Sequence, residues 1–124
     1  MGSDARPEMI LVVDDDPSML RTVTRLLRLH GYLVETFSSA EAFIDARPEG
    51  AIACLLLDIH LGGMSGIELY RRLAASGMTH PAIFMTALDD EATEQEAARV
   101  GGIAYLRKPF PADELLDAIR SIAA

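Results

Sequence analysis

The sequence has little cysteine, little positive charge and no long apolar run, and each shortage closes off a class of protein. One cysteine, Cys54, among 124 residues allows no intrachain disulfide. Its place inside an apolar stretch makes it a small core side chain shielded from oxidants rather than a redox group. With 11 basic against 19 acidic residues the formal charge is −8, which argues against binding nucleic acid or an anionic membrane through bulk electrostatics. The most apolar stretch, Ala51 to Leu57, is far short of the roughly 20 residues that a spanning helix needs. The N-terminus has no apolar signal-peptide core, so a cytoplasmic location without membrane attachment is expected. No internal repeat, low-complexity tract or interdomain linker interrupts the chain.

What is present is half a chain of hydrophobic residues, enough at this length for one core without a structural metal. Residues 1–8 are polar and aperiodic and are expected to form a disordered tail, with one folded domain over 9–124. Met9 to Val13 is a β-branched and aliphatic run that stops at three aspartates, as a strand buried on both faces does at a rim. Asp16 before Pro17 reads as a helix cap, and Met19, Leu20, Val23, Leu26 and Leu27 then recur at helical spacing until Gly31. Arg21, Arg25 and Arg28 line up on the opposite side, as a solvated face or a docking patch.

Tyr32 to Phe37 alternates like a half-covered or edge strand, and Ser38 with Glu41 fits a capping box opening a second helix. Ala51 to Leu57 predicts a third strand ending at Asp58. After a glycine-rich loop, Ser65 and Glu68 fit another capping box, with the helix running to Gly77. A strand over Ala82 to Met85 ends at Thr86, an acidic helix covers Asp90 to Val100, and a fifth strand over Ile103 to Leu106 ends at Arg107-Lys108-Pro109. A helix over Ala112 to Ile122 follows. Strands alternating with helices on short loops specify an α/β fold. The expectation is a doubly wound, five-stranded parallel sheet of flavodoxin-like order 2-1-3-4-5 with five helices, whose ligands sit beyond the carboxyl ends of strands 1 and 3.

The polar residues at those strand ends are Asp14, Asp15 and Asp16, Asp58, Thr86 and Lys108. Neighbouring strands lie about 4.8 Å apart, so carboxylates after strands 1 and 3 crowd into one pocket. Their repulsion can be relieved by Lys108 or by a hard divalent cation such as Mg²⁺. Carboxylate-bound magnesium beside a phosphate is the arrangement of phosphoryl transfer. In such a pocket Asp58 can act as a carboxylate nucleophile, Lys108 can ion-pair with phosphoryl oxygens, and the Thr86 hydroxyl can hydrogen-bond to one. Asp16 is most simply a helix cap.

These residues carry a resemblance. Asp14-Asp15 after the first strand, the stretch from Asp58 through His60 and Gly62 to Gly66, Met85-Thr86-Ala87, and Tyr105-Leu106-Arg107-Lys108-Pro109-Phe110 together resemble response-regulator receiver domains of two-component signalling, over essentially the whole folded length. The resemblance implies Asp58 as phosphoacceptor, Asp15 and Asp58 as direct Mg²⁺ ligands, Asp14 acting largely through metal-bound water, and the His60 carbonyl as a further ligand. It implies that the Ala87 N–H joins Thr86 and Lys108 on the phosphoryl group, that Lys108-Pro109 is a cis peptide, and that Thr86 and Tyr105 form the switch. By the same resemblance the donor is a sensor histidine kinase or phosphotransfer protein. The output is a domain or effector outside these residues, reached through helix 4, strand 5 and helix 5, where Asp89 to Glu96 is acidic enough for docking. Phosphorylation-dependent homodimerisation is left open. Phe37-Ser38-Ser39-Ala40-Glu41-Ala42-Phe43 looks like the subgroup that precedes helix-turn-helix transcription domains. One departure is visible: Gly62 stands where the family usually has proline, which predicts a more flexible loop.

Two rivals stand beside this. Asp14-x-Asp16-x-Ser18 has the D-x-D-x-S/T spacing of haloacid-dehalogenase-type phosphatases, which would make Asp14 the nucleophile. A binding-only domain that never turns over phosphate is the other.

Overall fold

The structure, a computed structural model, describes residues 9–87 and 91–123. The expected tail over 1–8, and Asp89 and Asp90 of the acidic segment, lie outside the described residues. Among these, five strands alternate with five helices: β1 Met9–Val13, α1 Pro17–Leu29, β2 Leu33–Phe37, α2 Ala40–Ala46, β3 Ile52–Asp58, α3 Gly66–Ala75, β4 Ala82–Thr86, α4 Glu91–Arg99, β5 Ala104–Arg107 and α5 Ala112–Ala123. The strands are all parallel and run in the order β2-β1-β3-β4-β5.

Strand composition matches position in the sheet. The three central strands carry the continuous apolar runs and are buried almost throughout, whereas β2, at the edge, buries only Phe37 fully and leaves Leu33 and Glu35 exposed. Alternate side chains feed two cores. Leu11, Val13, Leu55, Leu57 and Phe84 face α2, α3 and α4, with Phe43, Ile67, Leu69 and Tyr70 packed over them. Ile10, Val12, Leu56, Ile83 and Met85 face α1 and α5, with Val23, Leu27, Leu115 and Ile119 packed over them. Cys54 is fully buried in this second core. Cutting any of Leu55, Leu56 or Leu57 to alanine leaves a cavity and costs about 3 kcal/mol.

The helix starts follow the local chemistry. Asp16 accepts from the Ser18 N–H with Pro17 at the first helical position, and Ser65 accepts from the Glu68 N–H. The capping box expected at Ser38 is displaced by one residue: Ser39 is the cap and accepts from the Ala42 N–H at 3.0 Å. A cap at Ser39 puts Glu41 two residues into the helix. There its carboxylate reaches the loop after β3, accepting from the Met64 N–H.

Candidate functional site

Each polar residue picked out at a strand end is held there by its strand. Asp14 continues β1, and its N–H donates to the Phe37 carbonyl at 3.1 Å. Asp58 is the last residue of β3, with Met85 of β4 as register partner. Lys108 leaves β5 with its N–H donating to the Thr86 carbonyl at 2.8 Å, and the Lys108–Pro109 peptide is cis. Asp14, Asp58 and Thr86 are buried although polar.

The Lys108 ammonium joins the strands. Its Nζ donates to Asp14 Oδ2 at 2.6 Å and to Asp58 Oδ2 at 3.1 Å. The remaining oxygens are partly occupied: Asp14 Oδ1 accepts from the Asp16 N–H at 2.9 Å and Asp58 Oδ1 from the His60 N–H at 3.2 Å. Asp15 is exposed at the rim, and one carboxylate oxygen from each of Asp14, Asp15 and Asp58 lies within 4.8 Å of the others. Three carboxylates thus face one ammonium.

The imbalance shows in the acidity of the groups. Burial, reinforced by the Asp14 charge, pushes the Asp58 carboxyl above its usual range, against the pull of Lys108 and the His60 N–H. For Lys108, burial works to lower the pKa, but the hydrogen bond to Asp14 and the charges of Asp58 and Asp14 outweigh it and the net shift is upward. The pocket therefore keeps a charged lysine and has negative charge to spare. An all-oxygen donor set of this kind suits a hard divalent cation such as Mg²⁺, which takes one or two carboxylates and fills its remaining positions with water and phosphate.

Other residues singled out in the sequence are placed around this centre. Ala87 directly follows Thr86 and is exposed. His60 is exposed, and the contact it makes to the pocket is through its backbone. Tyr105, in register with Phe84, projects from the same face of the sheet as Thr86, because side chains alternate along a strand. It borders a cavity of about 170 Å³ shared with Glu94, Ala97 and Ile103. Asp16 caps α1. Arg21, Arg25 and Arg28 line a separate cavity of about 630 Å³ with Leu29 and Thr36. One contact beside the pocket was not foreseen: Glu41, expected as half of a capping box, accepts from the Met64 N–H in the loop after Asp58. The usable signal was an acid just after an edge strand's carboxyl end.

Comparison with known proteins agrees in extent with this geometry. The sequence matches the family described as the response regulator receiver domain over residues 10–120. It is 38% identical over 113 residues to the response regulator protein TmoT of Ectopseudomonas mendocina, covering 91% of this chain and 51% of that protein. It is 37% identical over 112 residues to the transcriptional regulatory protein FixJ of Bradyrhizobium diazoefficiens, covering 90% and 55%. The chain thus spans about half the length of these curated relatives. The crystal structure of a CheY-like response regulator receiver domain protein from Methanospirillum hungatei superposes with a TM-score of 0.86 at 27% identity, covering 94% of this chain and 93% of that one.

Proposed function

The chain belongs to the response regulator receiver domain family, the phosphorylation-activated switch of two-component signalling, and on that premise we propose that Asp58 is the phosphoryl acceptor of a domain spanning residues 9–124. The observation that carries this is the Lys108 ammonium held between two buried carboxylates that it cannot fully neutralise. A phosphoryl group arriving from a sensor histidine kinase or phosphotransfer protein meets Asp58 as the nucleophile. One carboxylate oxygen forms the new P–O bond as the donor's P–N bond breaks, and the electron pair leaves on the donor imidazole. Lys108 moves from pairing with Asp58 to pairing with a phosphoryl oxygen, while Asp14 keeps it aligned. The Thr86 hydroxyl and the Ala87 N–H bind further oxygens. Asp15, Asp58 and the His60 carbonyl would hold Mg²⁺, with Asp14 acting through metal-bound water; the ion supplies positive charge that offsets the charge on the transferring group.

Thr86 and Tyr105 share one sheet face, so drawing Thr86 toward a phosphate opens room for Tyr105 to turn inward and changes the α4, β5 and α5 surface. That surface would act on an output domain or effector, by analogy with FixJ a transcriptional one. No helix among the described residues is long and apolar enough to cross a membrane. The phosphatase alternative asks Asp14 to be the nucleophile and Asp16 to be its acid. The Asp16 carboxylate instead caps α1 by accepting from the Ser18 N–H, which engages the group that would have to act as that acid.

The test is intact mass after incubation with acetyl phosphate and Mg²⁺. Wild type should gain one phosphoryl group and Asp58→Asn none. Labelling that persists in Asp58→Asn but disappears in Asp14→Asn would establish the phosphatase-type nucleophile. An unlabelled wild type, with acetyl phosphate and with a phosphorylated kinase, would leave a binding-only domain.

A further inference from the structure

The loop between β3 and α3 begins with the residues that complete the proposed pocket and then loses its stiffness. After Ile59, which is buried, come His60, Leu61, Gly62 and Gly63. Adjacent glycines have the largest backbone freedom to lose on ordering. Gly62 also has open space where a side chain would project, so no packing holds it. The Gly66 N–H closes the loop on the Ile59 carbonyl at 3.1 Å, Leu61 packs against the core facing α2 to α4, and Met64 is fastened twice. The Met64 side chain packs against the core facing α2 to α4, and the Met64 N–H donates to Glu41 Oε2 at 3.2 Å.

Glu41 sits close over this segment. A Cβ placed on Gly63 would come 2.9 Å from Glu41 Oε2, at the far end of an exposed side chain, so the carboxylate lies close over the loop backbone. The Glu41 carboxyl is held below its usual range by its own N–H and by that of Met64, with a smaller contribution from the Arg72 charge. These groups make Glu41 a bridge from the first turn of α2, beside the β1–β2 edge, to the loop that follows Asp58.

We infer that Glu41 is a positioning residue for the pocket: its carboxylate fastens the glycine-rich β3–α3 loop at Met64 and thereby orders the His60 backbone beside Asp58. The inference rests on the proposed Mg²⁺-dependent phosphorylation of Asp58. Glu41 is not among the carboxylates gathered at the pocket, so removing it should weaken Mg²⁺ binding and alter aspartyl-phosphate lifetime without moving the phosphorylated residue.

The experiment uses the whole chain and measures Mg²⁺ affinity by calorimetry and aspartyl-phosphate half-life by intact mass, for wild type and three variants. Glu41→Ala should weaken Mg²⁺ binding about threefold, the scale of one backbone hydrogen bond, and change the half-life to a similar degree. Glu41→Gln keeps an acceptor oxygen and should stay near wild type. Gly62→Pro added to Glu41→Ala should restore the affinity, because it stiffens the loop by another route; a purely structural loss in α2 would not be repaired there. Glu41→Ala indistinguishable from wild type in both measurements, or unrescued by Gly62→Pro, would overturn the inference. Wild type that binds no Mg²⁺ would overturn it together with the reading it rests on. Binding without phosphorylation would sink that reading alone, since the affinities still judge Glu41.

Discussion

Two groups of ion pairs, built from the same chemistry, sit in opposite environments. In the pocket, Lys108 lies between Asp14 and Asp58 with side chains 15%, 0% and 6% exposed. On the surface, Arg71 bridges Glu68 and Glu96, and Arg72 pairs with Glu68, with all four side chains between 42% and 59% exposed. Water screens the second group and pairs adjust freely, so each is worth little. In the pocket desolvation cannot be escaped, and the acids outnumber the base. Stability alone does not explain a buried, unbalanced cluster, because a well-packed apolar replacement is often equal or better. The difference favours the proposed site: the costly charges are gathered where a cation and a phosphoryl group would be received.

The sharpest way to break that contrast is to remove the shared cation. Lys108→Ala leaves Asp14 and Asp58 facing each other without a partner, and should destabilise the metal-free protein by about 3 kcal/mol. Urea unfolding in EDTA would measure it, and added Mg²⁺ should recover part of the loss by supplying the missing charge. A loss no greater than that of a surface lysine would mean that water reaches the pocket freely and that the contrast is false.

Removing one acid should act in the opposite direction. With the Asp58 carboxyl raised above its ordinary value, ionising it opposes folding. Its contribution to stability is therefore fully present below the unfolded-state pKa, near 3.8, and is lost as pH rises through the folded-state pKa. Asp58→Asn, which carries no charge at any pH, should be more stable than metal-free wild type at pH 7, by about 1 kcal/mol or about 4 °C in Tm. The gap should shrink toward acid pH and close once both states of wild type are protonated. A variant less stable than wild type at pH 7 would show that attraction to Lys108 outweighs repulsion and burial.

Most of this frame was legible in the sequence because strand identity and strand ends are local signals. Met9 to Val13 and Ala51 to Leu57 announce buried strands by their apolar runs, and the aspartates that end them mark the rim. Boundaries moved where capping competes: two adjacent serines, Ser38 and Ser39, both can cap, and pattern alone cannot choose between them. The sequence also could not show that Glu41 reaches Met64, 23 residues away, or that Tyr70 donates to the His80 carbonyl at 2.9 Å. Such contacts depend on how α2 and α3 are set against the sheet, which periodicity leaves undetermined. The one unusual local choice, Gly62, was visible as a departure, but the Glu41–Met64 contact near it was visible only in three dimensions.

The smallest effect lies on the other side of the contrast. Arg71 Nη2 and Glu96 Oε2 are 2.8 Å apart and tie α3 to α4, a short pair that invites the thought of a structural clasp. Its partners are nearly half exposed, and Arg71 keeps a second acid, Glu68, within 3.7 Å. A double-mutant cycle with Arg71→Ala and Glu96→Gln should therefore give a coupling of about 0.5 kcal/mol or less at about 0.15 M salt, fading at about 1 M. Coupling well above 1 kcal/mol that survives salt would mean that the α3–α4 seam is drier than its exposure implies. The energetic distinction between pocket and surface would then be one of charge balance alone, since burial would no longer separate them.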